Sequence, residues 1–258
     1  MSIDFKVHEN GIALITINRP EKRNALDAEH YAGLSQAWQR VRDDVDIRVA
    51  VITGAGDKAF SAGADLKTFI GKKNEAAEFF LTQKDQLLNR GLEVWKPVVA
   101  AVNGYCVGGG LTLLLATDIR VAASHATFGL SEIKRGIIAA NGGTQRVATQ
   151  LPHAIAMELL LTGDSFDAAT AERWGLVNKV VPAAQLLETA MQYARRIAAN
   201  APLAAQASKE LALRGPGMGL AAGLRMEQYA NRFLSATEDA QEGRNAFAEK
   251  RTPRFVGR

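Results

Sequence analysis

Cysteine is nearly absent: Cys106 is the single one in 258 residues. That excludes an internal disulfide framework and fits a reducing compartment. A net charge is nearly absent too, with Lys+Arg 31 against Asp+Glu 27 giving +4. This excludes a strongly basic nucleic-acid binder and at most mildly favours anionic ligands. The first residues, MSIDFKVHENG, contain neither the apolar core of a secretion signal nor the Arg/Ser-rich character of a transit peptide. A cytoplasmic location is therefore expected. No GxxxxGK[ST] occurs, and His8, His30, His125 and His153 show no metal-ligand spacing such as HExxH. These histidines are expected on the surface or in loops, and no metal site is expected. One uncharged run, Pro97 to Thr117, is long enough to span a bilayer, but Asn103-Gly104 and Gly108-Gly109-Gly110 interrupt it. A buried strand, a glycine turn and a buried helix describe it better than a membrane span.

What is present is an ordinary globular composition, 47% hydrophobic and 22% charged. At this length one large domain, or a core with an appendage, is expected. Ile12–Ile17 alternates and is β-branched, so it reads as a strand. The polar loop NRPEKRN follows, with Asp27 as a helix N-cap before Tyr31, Leu34, Trp38 and Val41 at helical spacing. Residues 48–54, RVAVITG, have the continuous apolar character of a strand covered on both faces. KAFSAGADL (58–66) reads as a small-residue loop. A long helix is expected over much of 74–95, burying Phe80, Leu87, Leu88, Leu92 and Trp95. PVVAAVNGY reads as a strand, LTLLLATD as a buried helix, and DIRVAAS and ATFGL as short strands. Strands alternating with helices imply an α/β class with a mainly parallel sheet. After residue 200 the pattern is helical, with Met226, Tyr229 and Phe233 on one stripe that suits packing on a partner subunit. Residues 1–200 are thus read as a core and 201–258 as a helical oligomerisation region.

Two glycine turns stand out, FSAGADL (60–66) and NGYCVGGGL (103–111). A strand–glycine–helix junction aims unpaired backbone N–H groups at one point, where the helix dipole adds positive potential. Such a junction can bind a phosphate or stabilise a developing oxyanion. Close packing of helix on strand also selects glycine. The glycine order lacks the spaced third glycine of a dinucleotide-binding fingerprint.

FSAGADL, AAVNGYCVGGGL and ATFGLSEIKRGIIAANGGTQR, in this order, together with the tail AFAEKRTPRFVGR, resemble the crotonase (enoyl-CoA hydratase/isomerase) superfamily over nearly the whole chain. The resemblance implies a spiral of ββα units with a C-terminal helical trimerisation region, assembled as a homotrimer or hexamer. It implies an acyl-CoA thioester substrate, an enolate intermediate and no cofactor, coenzyme A being part of the substrate. Neither nucleic acid nor membrane is an expected partner. Lys67, Lys72, Lys73 and Lys84 are interspersed with Asp65, Glu75, Glu78 and Asp85, which disfavours the RNA binding of some relatives.

By the same resemblance the oxyanion-hole donors fall on the backbone N–H groups of Ala64 and Gly109. Hydratases of the family use two glutamates; their positions here are Thr112 and Glu132. A threonine cannot serve as a general base near neutrality, though it can hold a water or a substrate oxygen. One retained glutamate suits double-bond isomerisation better than hydration, with Glu132 as the single acid/base. Asn141 stands where relatives carry a small residue, and either faces the acyl pocket or caps the next helix. Coenzyme A contacts are implied at Arg23, Ala25, Ala62, Asp65 and Leu66, and at Phe247 and Lys250 in the tail. Cys106 reads as a small buried residue, and Ser61 and Ser131 have no histidine beside them in sequence. The competing readings are an enoyl-CoA hydratase, an acyl-CoA hydrolase or dehydratase of unusual substrate, and a non-catalytic acyl-CoA-binding protein.

Overall fold

The structure, a computed structural model, describes residues 2–69 and 86–258. Among the described residues ten strands form two sheets. The larger has the order β1 (Ile3–His8), β2 (Ile12–Ile17), β3 (Val49–Gly54), β5 (Val98–Val102), β7 (Ile119–Ala123) and β10 (Lys179–Val181). The smaller has the order β4 (Ala59–Ser61), β6 (Tyr105–Val107), β8 (Thr127–Gly129) and β9 (Ser165–Asp167). Only β1–β2 and β8–β9 are antiparallel. From β3 to β8 the chain gives strands alternately to the larger and the smaller sheet. That alternation is a spiral, and it brings the ends of β4 and β6 together.

The helices are α1 (Ala28–Asp43), the short α2 (Leu66–Phe69), α3 (Gly109–Leu114), α4 (Gly143–Gln150), α5 (His153–Thr162), α6 (Ala168–Arg173) and α7 (Leu186–Ala198). Three more follow: α8 (Pro202–Arg214), α9 (Leu220–Ser235) and α10 (Glu238–Glu249). Alternation along β3 explains the continuous apolar sequence there. Val49 and Val51 pack with Leu186, Ala190, Ala194 and Ala198 of α7, whereas Ala50 and Ile52 enter the main core with Trp38, Phe60 and Phe128. A strand with both faces covered needs no polar face.

Asp27 caps α1 as expected, accepting from His30 N at 3.1 Å. His30 departs from expectation: it is buried, with its Nδ1 2.7 Å from Asp27 Oδ1. Its position four residues before Leu34 puts it on the helix stripe that faces the core, with Leu34, Trp38 and Val41. The expected helix over 74–95 is also corrected. Phe80 and the rest of 74–85 lie outside the described residues, and 86–95 is not helical. Leu87 forms isolated bridges with Arg90 and Gly91, and Gly91 has φ +81°, a left-handed turn that ends helical continuity. Leu87, Leu88 and Leu92 are nevertheless buried. The uncharged run after Pro97 is not one strand and a helix but two strands in different sheets, β5 and β6, before α3. The break falls at Asn103-Gly104, where Asn103 binds Gly54 N, Gly54 O and Gly56 O through its side chain. Among the described residues no helix is long and apolar enough to cross a membrane.

The last three helices lie outside this core. Lys209 of α8 is held by Asp118 at 2.8 Å and by the Lys96 carbonyl at 3.1 Å. The terminal segment returns to the core where Arg48 donates to Phe255 O at 2.6 Å. Neither α8 nor α9 contains a buried residue.

Candidate functional site

The first turn is built by its neighbours. Asn24 is fully buried; its Nδ2 donates to Ala59 O at 2.6 Å and Ala55 O at 3.0 Å, and its Oδ1 accepts from Arg19 N at 2.9 Å. Ser61 Oγ donates to Asn24 O at 2.8 Å and accepts from Gly63 N at 3.1 Å. Ala62 N donates to Arg23 O, and Asp65 N to Leu26 O. The amides of residues 62, 63 and 65 are all bonded in this way. The N–H of Ala64 between them has no acceptor among the described residues.

The second turn meets the first. Gly109 opens α3, so its N–H has no intrahelical acceptor, and none is supplied elsewhere among the described residues. A Cβ on Gly63 would sit 2.7 Å from Gly109 N, and one on Gly109 would sit 3.4 Å from Ala64 N. Gly63 also has φ +83°, so glycine is required there both sterically and conformationally. A Cβ on Gly110 would fall 2.3 Å from Ser61 O. The two free amides therefore lie side by side because glycines let the backbones touch. Paired, preorganised N–H donors of this kind can stabilise a developing oxyanion.

Glu132 lies beside them, in the 3-10 turn Ser131–Arg135 that follows β8. A Cβ on Gly108 would be 3.5 Å from its Oε1, so the carboxylate abuts the glycine turn. Its Oε2 is buried without a hydrogen-bond partner. Burial raises its pKa above the usual 4.5, with Arg135 working weakly against the rise. A carboxyl whose charged form is disfavoured in this way is a candidate for giving and taking a proton.

Thr112, three residues into α3, is buried. Its hydroxyl donates to Gly109 O at 3.0 Å and accepts from Asn89 Nδ2 at 3.2 Å. Its methyl faces Gly143, where a Cβ would clash at 2.8 Å. Asn89 was not anticipated from the sequence. It lies inside the segment read as helix, and no local motif marks it. Its backbone is tied across to Asn141 by Arg146 Nη1, which donates to Asn89 O at 3.4 Å and Asn141 O at 3.2 Å. Burial lowers the pKa of that guanidinium. Asn141 itself has φ +55°, and the N-cap of α4 is Gly142, with no side-chain cap, so the capping alternative is excluded.

Three comparisons place this geometry. The chain matches the family model described as "Enoyl-CoA hydratase/isomerase" over residues 7–258. It is 44% identical to an (E)-benzylidenesuccinyl-CoA hydratase of Thauera aromatica, over 96% of each chain. It is 42% identical to a carnitinyl-CoA dehydratase of Salmonella arizonae over the full length of both. The chain belongs to the enoyl-CoA hydratase/isomerase family. It superposes on the crystal structure of an enoyl-CoA hydratase from Bacillus anthracis with a TM-score of 0.93 at 36% identity, covering all of both chains. The crotonase fold expected from the motifs is thus the fold observed, and the protein is an acyl-CoA enzyme of this hydratase/isomerase family.

The remaining family positions are distributed unequally. Arg23, Ala25, Ala62, Asp65 and the backbone of Leu66 all fall at the first turn. Arg23 has φ +52° and lays its guanidinium over Tyr105 at 4.9 Å. Asp65 is paired with Arg19 at 3.0 Å, and that same Arg19 nitrogen reaches Ala25 O at 3.3 Å. Phe247 and Lys250 are not joined to this turn by any hydrogen bond. The Phe247 ring is 88% exposed, and Lys250 closes α10 with its N–H on Phe247 O and Ala246 O. Cys106 is fully buried, and burial pushes its thiol pKa far up, so it is a packing residue. The hydroxyls of Ser61 and Ser131 engage Asn24 and Gly63, and Arg135, with no histidine partner.

Proposed function

We propose that the protein interconverts a 2-enoyl-CoA and its 3-hydroxyacyl-CoA, with Glu132 as the single proton carrier and the Ala64 and Gly109 amides as the oxyanion hole. In the addition direction water oxygen bonds to Cβ while Glu132 takes a water proton. The charge reaching the thioester oxygen is held by the two N–H groups, each worth about 3 kcal/mol. Glu132 then returns its proton to Cα. Elimination runs the same steps backwards. No metal or redox cofactor takes part in this scheme.

The observation that carries the reading is the half-buried Glu132, with an unpaired Oε2 and a raised pKa, abutting Gly108 next to the free Gly109 N–H. The hydratase and dehydratase names of the relatives favour water chemistry. Isomerisation, the expectation from one glutamate, is the second reading. It is favoured by Thr112, whose hydroxyl proton is committed to Gly109 O. Mass spectrometry of 2-enoyl- and 3-enoyl-CoA panels in deuterated water separates the two. Addition of the mass of water to the 2-enoyl series supports the first. Positional shift of the 3-enoyl series without water addition replaces it with the second. Benzylidenesuccinyl-CoA and carnitinyl-CoA belong in the panel.

The subunit is proposed to assemble through α9, whose Leu220, Leu224, Tyr229 and Phe233 are each half or more exposed. A solution mass equal to one 27.7 kDa chain would remove that proposal.

A further inference from the structure

We infer that Asn89 holds the reacting water. This rests on the water-addition reading above. Water attacking Cβ needs acceptors for both of its protons, and Glu132 supplies one. Thr112 cannot supply the other in the way a carboxylate would. Its proton goes to Gly109 O, a group that only accepts, so its oxygen must accept from Asn89. In this arrangement Asn89 Nδ2 faces Thr112 and Oδ1 faces away. Asn89 Oδ1 is buried with no partner among the described residues, in a residue only 7% exposed. An unpaired buried acceptor costs stability, so its persistence calls for an occupant that donates a hydrogen bond.

The surroundings hold this acceptor in place. Arg146 clamps the Asn89 backbone carbonyl to that of Asn141, and Leu87 and Leu88 on the same turn are buried in the core. Asn89 and Glu132 flank opposite ends of one structural unit, the Gly108–Thr112 turn of α3: Glu132 abuts Gly108 and Asn89 binds Thr112. A water bridging them donates one hydrogen bond to each acceptor and keeps a lone pair for Cβ; only the proton facing Glu132 is transferred, and the other stays on the product hydroxyl. An amide oxygen orients water without removing its proton, so proton transfer stays with Glu132.

The test compares Asn89→Leu, which removes the acceptor at similar size, with Asn89→Asp, which keeps one. Two rates are read on the full-length protein: water addition to a 2-enoyl-CoA, and exchange of the α-proton of a saturated acyl-CoA in deuterated water. Exchange needs only Glu132 and the two amides. Asn89→Leu is expected to lower kcat for water addition about 100-fold, with KM within a few-fold and α-exchange retained. Asn89→Asp is expected to retain water addition, with its acid limb moved to higher pH by repulsion between two carboxylates. Loss of both rates together in Asn89→Leu, or equal inactivity of the two variants, would assign Asn89 a structural role and overturn the inference. So would full water addition by Asn89→Leu. An unsubstituted enzyme that exchanges the α-proton yet never adds water overturns both this role and the water-addition reading.

Discussion

The two-sheet core and the last three helices obey different rules. In the core the central strands and the first helix are covered: β3 and β5 are buried on both faces, and α1 buries His30, Leu34, Trp38 and Val41. In α9 the apolar stripe is exposed, with Tyr229 at 65% and Phe233 at 70%. A helix of sixteen residues with no buried side chain has little intramolecular reason to be stable. The core holds the candidate site, where the Ala64 and Gly109 amides lack acceptors among the described residues, while the helical region presents the exposed apolar stripe that the proposed assembly would cover.

The largest expected effect lies at the site. Glu132→Gln should lower turnover by about 10²–10⁴-fold while acyl-CoA binding, measured by calorimetry, stays within twofold. Its melting temperature at pH 8 should not fall, since a half-buried, unpaired carboxylate is replaced by a neutral amide. Equal loss of binding and turnover would show that Glu132 shapes the pocket rather than moving protons.

Next in size is the contrast between regions. Trp38→Ala should cost about 3–5 kcal/mol in urea unfolding because a fully buried ring leaves a cavity. Phe233→Asp should instead shift the solution mass toward 27.7 kDa, with the core's own unfolding transition little changed. A Phe233→Asp protein as unstable as Trp38→Ala, at unchanged mass, would erase the distinction drawn here.

Thr112→Ala sharpens the picture within the core. It removes two hydrogen bonds and is expected to cost about 1–3 kcal/mol of stability, with turnover lowered less than tenfold. The smallest effect is on pH dependence. Glu132 must be ionised to accept a proton, and burial raises its pKa, so the acid limb of kcat/KM should lie above 4.5. Activity should be lost as pH falls through that raised value. The same shift makes ionised Glu132 a stability cost that is present at high pH and relieved as pH falls.

Much of this was legible in the sequence, because the signals are local. The strands at 12–17 and 49–54, the Asp27 cap and the glycine turns all follow from short-range rules, and glycine is demanded wherever two backbones touch. β1 and the split of the uncharged run into β5 and β6 were missed. Both depend on which sheet a strand joins, and pairing is nonlocal. The helix read over 74–95 failed across 86–95 because a spacing of leucines does not distinguish a helix from a buried turn, and Gly91 decides for the turn.

The sequence by itself determined the family, the retained Glu132, the replaced Thr112 and the glycines that let two loops meet. These rest on residue identity, which fixes charge, size and backbone freedom. Only the tertiary structure decided that the Ala64 and Gly109 amides lack acceptors, that Glu132 is desolvated, and that Asn89 stands beside Thr112. Each of those depends on what chain segments far apart in sequence leave unpaired or shut off from water.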